Sequence, residues 1–247
     1  SELGKLNMNT FGLRAYYRPT QFSRISLEYH TTNEFRRGGN KFDLQPHETD
    51  ITEQTKHIIN SGGLTYDVFF NEYKHKLSVY ASAQHTDRNS YYGADKAENA
   101  YGKTNDLTAV GGAMYVGNMD NCLFFPATFT GGLEYQYNSL HDVMTGYGRD
   151  LRQDVKIASA FVQNEWKLDY FTILAGFRLD KHNLVDNVIF SPRINTLWKP
   201  SDKFQGRLTW STGFRAPQAY DEDLHVAAVG GEAMEVRLAE GLKPERS

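Results

Sequence analysis

The sequence is poor in cysteine and in continuous apolar runs, and each shortage excludes a class of protein. Cys122 is the single cysteine, so neither an intrachain disulfide nor a zinc site with paired cysteines can form. The longest apolar stretch, near residues 170–177, is far shorter than the roughly 18 residues that a membrane-spanning helix needs. A membrane location is not excluded by this shortage, because barrel strands alternate apolar and polar residues and are hydrophilic on average.

Charge of one sign is also lacking. The chain has 27 basic and 30 acidic residues, a net charge of −3, and the basic residues are scattered. Nucleic-acid-binding proteins concentrate basic residues on one face or segment, so no nucleic-acid partner is predicted. In contrast, 15 tyrosines, 15 phenylalanines and 21 glycines accompany only seven prolines, which is typical of aromatic-rich strands separated by glycine-bearing turns.

Apolar and polar residues alternate with a period of two, as in strands whose two faces differ. In residues 24–30, for example, Ile25, Leu27 and Tyr29 face one way, and the intervening polar residues face the other. The same pattern predicts ten strands, at residues 8–18, 22–31, 57–70, 75–87, 107–117, 127–137, 154–167, 171–181, 190–199 and 204–213.

The links between these strands are unequal in length. Short links alternate with long polar links at residues 32–56, 88–106 and 138–153, although 118–126 is long for a turn and 181–189 is short for a loop. An up-and-down barrel of the outer membrane has short periplasmic turns and long outer loops, whereas a soluble sandwich does not segregate its loops. The predicted fold class is therefore an all-β, antiparallel, up-and-down transmembrane β-barrel, of which this chain supplies about ten strands.

Aromatic and charged residues support the same fold. Aromatic residues crowd the short links, where barrels carry interfacial girdles; they include Tyr16, Tyr17, Phe22, Phe69, Phe70, Tyr73, Phe124, Phe125, Trp166, Tyr170, Phe171, Trp198 and Phe204. Charged residues occupy the face opposite the apolar one, as in a water-filled or plugged lumen. The alternative is a soluble antiparallel sheet with one solvated face and many aromatic residues.

Five motifs in the last third of the chain resemble successive strands of TonB-dependent outer-membrane receptors. They are FVQNEW from Phe161, AGFRLD from Ala175, FSPR from Phe190, RLTWSTGFRAP from Arg207 and LKPERS from Leu242. Residues 213–224 are similar to receptors of Bacteroides-type bacteria. Residues 1–155 match the family mainly in architecture.

The resemblance implies a barrel of about 22 strands with a plugged lumen. Residues 1–247 would then be a single barrel segment, with the plug domain and the TonB-contacting region upstream and the final strands downstream. The implied function is TonB-dependent uptake of a scarce nutrient, such as a siderophore-iron chelate, haem or cobalamin, with oligosaccharides as the rival substrate class. The expected location is the outer membrane of a Gram-negative bacterium, and the expected partners are the TonB complex, outer-membrane lipid and the transported ligand.

Two other classes of function remain open at this point. A passive porin would have neither a plug nor a TonB contact. A soluble β-sandwich adhesion or interaction module would bury Ile25, Leu77 and Val79 between two packed sheets.

The resemblance also implies roles for particular residues. Arg178, Asp180 and Arg193 lie on the proposed inward face, where they are predicted to form salt bridges with the plug, and Arg207 belongs to the same inward-facing set. Arg215 and Glu222 follow the tenth strand and are predicted to brace the next loop.

Tyr91, Tyr92 and Tyr101 are predicted to lie in the second long loop. Aromatic rings there can stack on a flat ligand. The alternative is that the three tyrosines belong to the outer interfacial girdle.

No catalytic constellation is recognised, and no enzymatic activity, cofactor or metal site is predicted. The eight histidines are dispersed. His47, Glu48 and Asp50 could bind a cation, but a solvated loop is the favoured interpretation. The acidic residues 221–223 lack the ligand spacing of a calcium loop, and neither a phosphate-binding glycine loop nor a nucleophilic set is found.

Overall fold

The computed structural model describes residues 4–123, 125–219 and 243–247. Ten strands dominate it: β1 Lys5–Tyr17, β2 Ser23–Gly39, β3 Ile51–Phe70, β4 His75–Ala94, β5 Tyr101–Cys122, β6 Phe125–Met144, β7 Arg149–Lys167, β8 Phe171–His182, β9 Ile189–Ser201 and β10 Phe204–Ser211. Two short 3-10 turns, Pro46–Glu48 and Thr145–Tyr147, lie in the links. A small ladder pairs β11, Phe214–Arg215, with β12, Glu245–Arg246.

The ten strands form one sheet in the order in which they occur in the chain. Each strand from β2 to β9 pairs antiparallel with its predecessor and its successor, which is the topology of an up-and-down barrel wall. The predicted fold class is therefore confirmed, as one continuous sheet that is open between β1 and β10 in the described part of the chain. Across the described ranges, no helix is long and apolar enough to span a membrane.

All ten predicted strands are present, but the predicted long loops were too long. The strands continue into the three predicted long links, so these links are shorter in the structure. They comprise residues 40–50, 95–100 and 145–148 instead of 32–56, 88–106 and 138–153. Backbone ladder hydrogen bonds do not depend on side-chain polarity, so pairing persists where the apolar alternation fades. The link predicted at 118–126 was also wrong, because β5 ends at Cys122 and β6 begins at Phe125. We call the edge with the short links the turn rim and the opposite edge the loop rim.

The register collects the apolar residues on one face. A single cross-strand row runs through nine strands and consists of Tyr17, Ile25, Tyr66, Val79, Ala113, Leu133, Ala160, Leu179 and Phe190. Large members are exposed: Val79 keeps 50% of its surface and Leu133 keeps 65%. An apolar surface of this extent is not left in water by a soluble monomer. The soluble sandwich is therefore wrong, because Val79 is exposed and no second sheet packs on it within residues 4–123, 125–219 and 243–247.

The aromatic residues of the turn rim pack against one another. The Tyr73 ring lies 5.7 Å from that of Phe22 and 5.5 Å from that of Phe69. Farther along the rim, Trp198 stacks on Phe171 and makes an edge contact with Phe204. This arrangement is typical of an interfacial girdle. Phe124, which the sequence assigns to the same girdle, lies outside the described residues.

Fully buried apolar residues are concentrated at the loop rim. Tyr91, Tyr92, Met144, Leu140 and Val155 are buried there. The middle of the sheet has no comparable cluster among the described residues. This distribution is the reverse of that in a soluble domain, where the centre of the sheet would carry the core.

Candidate functional site on the polar face

The polar face carries a hydrogen-bonded ionic cluster at its centre. Register alone places Glu134, Ser159 and Asp180 side by side on β6, β7 and β8. Arg178 contacts all three: its guanidinium lies 2.8 Å from Glu134 Oε1, 2.7 Å from Asp180 Oδ1 and 2.7 Å from Ser159 Oγ. The Ser159 hydroxyl donates to Asp180 at 2.6 Å, and the Tyr80 hydroxyl donates to Glu134 at 2.8 Å. Four strands are thus tied together by charge-assisted hydrogen bonds.

Two glycines make room for the rings around this cluster. Gly112 lies between Tyr80 and Glu134 in the register, and a Cβ atom there would lie 2.7 Å from the Tyr80 hydroxyl. At Gly132, a Cβ atom would lie 2.6 Å from the Phe161 ring, over which the Arg178 guanidinium sits at 6.0 Å. Both glycines therefore allow a side chain to lie flat across a neighbouring strand.

Arg178 and Asp180 are predicted from the sequence to lie on the inward face, and the register places both on the polar face. Their salt bridges to a plug remain a prediction, but within the sheet each already has an ionic partner. Arg193 and Arg207 differ, because both are exposed on the polar face and neither has an ionic partner in the ranges described. Arg215 lies in β11 opposite Glu245, and Glu222 lies outside the described residues.

A second ionic cluster, which the sequence did not predict, lies at the loop rim. Asp142 accepts hydrogen bonds from the Thr104 hydroxyl and from Arg149 Nε, the latter at 2.6 Å. Arg88 donates to Thr104 Oγ1 at 2.9 Å and lies 3.8 Å from Asp142. Arg88, Thr104 and Asp142 are all buried. The missed signal was that charged residues recur at polar-face positions of β4 and β6 inside segments interpreted as loops.

The three candidate ligand-binding tyrosines lie in strands rather than in a loop, which corrects their predicted position. Tyr91 and Tyr92 are part of β4 and are buried; the Tyr91 hydroxyl donates to the Ala97 carbonyl at 3.0 Å. Tyr101 begins β5, is 43% exposed and shares a hydrogen bond of 2.8 Å with His47 Nδ1. Ligand binding by these residues remains a prediction, and Tyr101 is the one with an accessible ring.

Tyr147, in the β6–β7 link, contacts one of these tyrosines. Its hydroxyl donates to the Tyr92 carbonyl. Burial raises the pKa of the Tyr147 hydroxyl, so it remains a hydrogen-bond donor at neutral pH. The link between β6 and β7 is therefore held to β4 by a polar contact.

His47, Glu48 and Asp50 do not converge on a common point. Asp50 pairs with Lys41 at 2.9 Å, and its hydrogen bond with Lys41 lowers the pKa of the carboxyl group. Glu48 accepts from the Gln45 backbone N–H, and His47 binds Tyr101. The described residues contain no group of three or more His, Cys, Asp or Glu side chains that could hold a metal ion.

Ten strands in chain order, with an exposed apolar face and a face of paired charges, define the wall of a transmembrane β-barrel. The family model described as "TonB dependent receptor-like, beta-barrel" matches residues 3–247, and the chain belongs to this family. No curated protein sequence matches the chain.

Two solved structures are similar to the chain in fold. They are the siderophore receptors PirA from Pseudomonas aeruginosa, with a TM-score of 0.69 at 14% identity, and PirA from Acinetobacter baumannii, with a TM-score of 0.70 at 15% identity. Each match covers 87% of this chain but only 35% and 34% of the respective receptor. The chain thus spans about a third of the length of these structures.

Proposed function

We propose that this chain is part of the barrel of an outer-membrane receptor that imports a scarce nutrient by TonB-dependent transport in a Gram-negative bacterium. The observation that carries the proposal is the two-faced sheet, with apolar residues exposed on one surface and ionic clusters on the other. Membership of the TonB-dependent receptor-like family supports the same reading. The family is one of receptors and transporters, and no catalytic role is proposed.

We propose a siderophore-iron chelate as the ligand class. Both similar solved structures are siderophore receptors, which favours this class over haem, cobalamin or an oligosaccharide. Tyr101, with its exposed ring at the loop rim, is the proposed point of contact for an aromatic chelate.

We propose that the barrel encloses a plug and that Arg193 and Arg207 contact it. Both guanidinium groups are exposed on the polar face and lack an ionic partner among the residues described. Other arginines of this face are paired within the sheet, such as Arg14 with Glu28 at 2.6 Å and Arg24 with Asp67 at 2.7 Å. An acidic segment of the plug would supply carboxylate partners for Arg193 and Arg207 and form charge-assisted hydrogen bonds with them.

Uptake by the full-length receptor tests the proposal. Cells that depend on this receptor are supplied in turn with radiolabelled iron chelates, haem, corrinoids and glycans, each carrying its own label, with and without functional TonB. We expect import of at least one iron chelate that stops without TonB, while binding of the chelate to the cell surface persists. Uptake of small solutes that continues without TonB would instead indicate a passive porin.

A further inference from the structure

The chain that follows β10 turns back onto the polar face of the sheet. β10 ends at Ser211, and β11 at residues 214–215 forms its small ladder with β12. Residues 216–219, which we call the strap, then lie against the polar face of β6, β7 and β8 near the loop rim. The segment therefore occupies the surface that faces the lumen in the proposed barrel.

Gln153 of β7 fixes the far end of the strap. Its side-chain amide donates to the Ala219 carbonyl at 2.9 Å and accepts from the Ala219 N–H at 3.0 Å. The amide nitrogen and oxygen of the Gln153 side chain thus both bind the backbone of Ala219. Ala219 also packs on the buried side chain of Leu140, beside Leu151.

His182 of β8 provides the second attachment. The imidazole is fully buried; its Nδ1 accepts from the Leu184 N–H at 3.0 Å, and its Nε2 lies 2.9 Å from Gln218 Oε1. Because Nδ1 is an acceptor here, Nε2 carries the proton and donates to Gln218. The attachment thus uses the neutral imidazole.

The strap is held by hydrogen bonds more than by apolar burial. Its buried apolar side chains are those of Ala216 and Ala219, so detachment would expose little apolar surface. The polar groups involved can exchange their partners for water. By contrast, β8 and β9 are joined by a ladder of ten residue pairs. The strap can therefore detach without disrupting the sheet.

We propose that residues 216–219 are a latch on the lumenal wall, held closed by Gln153 and His182, and that the latch opens during import. The inference rests on the proposed transport function. A solute that enters at the loop rim must pass along the polar face, and the latch lies on that face at that rim.

Cross-linking tests the proposal in the full-length receptor. In a Cys122→Ser background, Gln153→Cys and Ala219→Cys are joined by a short bis-methanethiosulfonate, which forms one reducible disulfide with each cysteine and releases two methanesulfinate groups. We expect the cross-linked receptor to bind its iron chelate normally but to import it at least about tenfold more slowly, with recovery after reduction. Import at the uncross-linked rate would overturn the proposal.

A second measurement does not depend on transport. Maleimide labels Ala219→Cys in isolated outer membranes, in the same Cys122→Ser background. Labelling should be slow with Gln153 present. It should be about tenfold faster with Gln153→Ala, because that substitution removes two hydrogen bonds to residue 219. Gln136→Ala is the matched control, since Gln136 is a polar-face glutamine of β6 in register with Ile157, and it should not change the rate. An unchanged rate with Gln153→Ala would refute the latch, whereas a receptor that imports nothing would refute the transport function alone.

Discussion

At the scale of single residues, Gly112 shows how a side chain that is absent shapes the polar face. It allows the Tyr80 ring to cross β5 and reach Glu134. Gly112→Ala would place a methyl group 2.7 Å from the Tyr80 hydroxyl and 2.7 Å from the Leu133 carbonyl oxygen. We expect the free energy of unfolding of the full-length receptor in detergent to fall by about 1–3 kcal/mol.

Gly111→Ala is the matched control for this measurement. Gly111 is the adjacent glycine on the opposite face, and the nearest atom to its added methyl group would be 3.7 Å away. Its substitution should leave the denaturation midpoint almost unchanged. Equal effects of the two alanines would show that the Tyr80–Glu134 contact contributes nothing to stability.

Arg178 and Arg193 lie on the polar face of neighbouring strands, but only Arg178 has ionic partners within the described sheet. The same substitution, Arg to Met, at each position therefore separates a structural role from a role in contacting the plug. Arg178→Met would leave Glu134 and the buried Asp180 without their cation, and we expect a loss of about 2–3 kcal/mol in unfolding free energy. Arg193→Met removes an exposed side chain and should change stability by no more than about 0.5 kcal/mol.

Arg193 should instead matter for the plug. If it contacts that domain, Arg193→Met should make the plug more accessible to added protease in isolated outer membranes without altering barrel stability. A large loss of barrel stability in Arg193→Met, or none in Arg178→Met, would contradict the assignment.

At the scale of secondary-structure elements, the strands continue well beyond the apolar alternation. Residues 32–39 belong to β2, although the sequence placed them in a loop, and the true link is 40–50. A six-residue insertion between Glu34 and Phe35 should therefore prevent barrel folding, because it disrupts the register of β2 with both β1 and β3. The same insertion between Phe42 and Asp43 should be tolerated. Heat-dependent migration on gels distinguishes folded from unfolded barrels, and tolerance at both sites would argue against the extended strand.

The sequence was sufficient to predict the number of strands, their antiparallel order and the face on which Arg178, Asp180 and Arg193 lie, because a period of two fixes the face of each residue. It could not reveal that Arg178 pairs with Glu134, 44 residues away, since that contact depends on the strand order and register. Tyr91 and Tyr92 were misplaced for a related reason: polar surroundings suggested a loop, whereas backbone pairing continues through them. The attachment of the strap to Gln153 left no pattern in the sequence at all.

At the scale of the whole molecule, apolar and charged residues are distributed in the opposite way to a soluble protein: apolar side chains are exposed and charged side chains are buried. Most members of the apolar row from Tyr17 to Phe190 are exposed and the others are half-buried, while Arg88, Asp142 and Asp180 are buried on the other face. In water this arrangement would be costly, because extensive apolar area would stay hydrated. In a bilayer the apolar face meets hydrocarbon, and the paired charges remain in the enclosed lumen. Function, stability and topology all depend on this division.

The most direct test follows four consecutive residues of β6 in the full-length receptor reconstituted in liposomes. Spin labels at positions 133, 134, 135 and 136, introduced one at a time in a Cys122→Ser background, report access to oxygen, which concentrates in lipid, and to a water-soluble nickel complex. We expect high oxygen access at Leu133 and Tyr135 and low oxygen access at Glu134 and Gln136. Uniform access at all four positions, or labels at Leu133 and Tyr135 shielded from lipid, would contradict it.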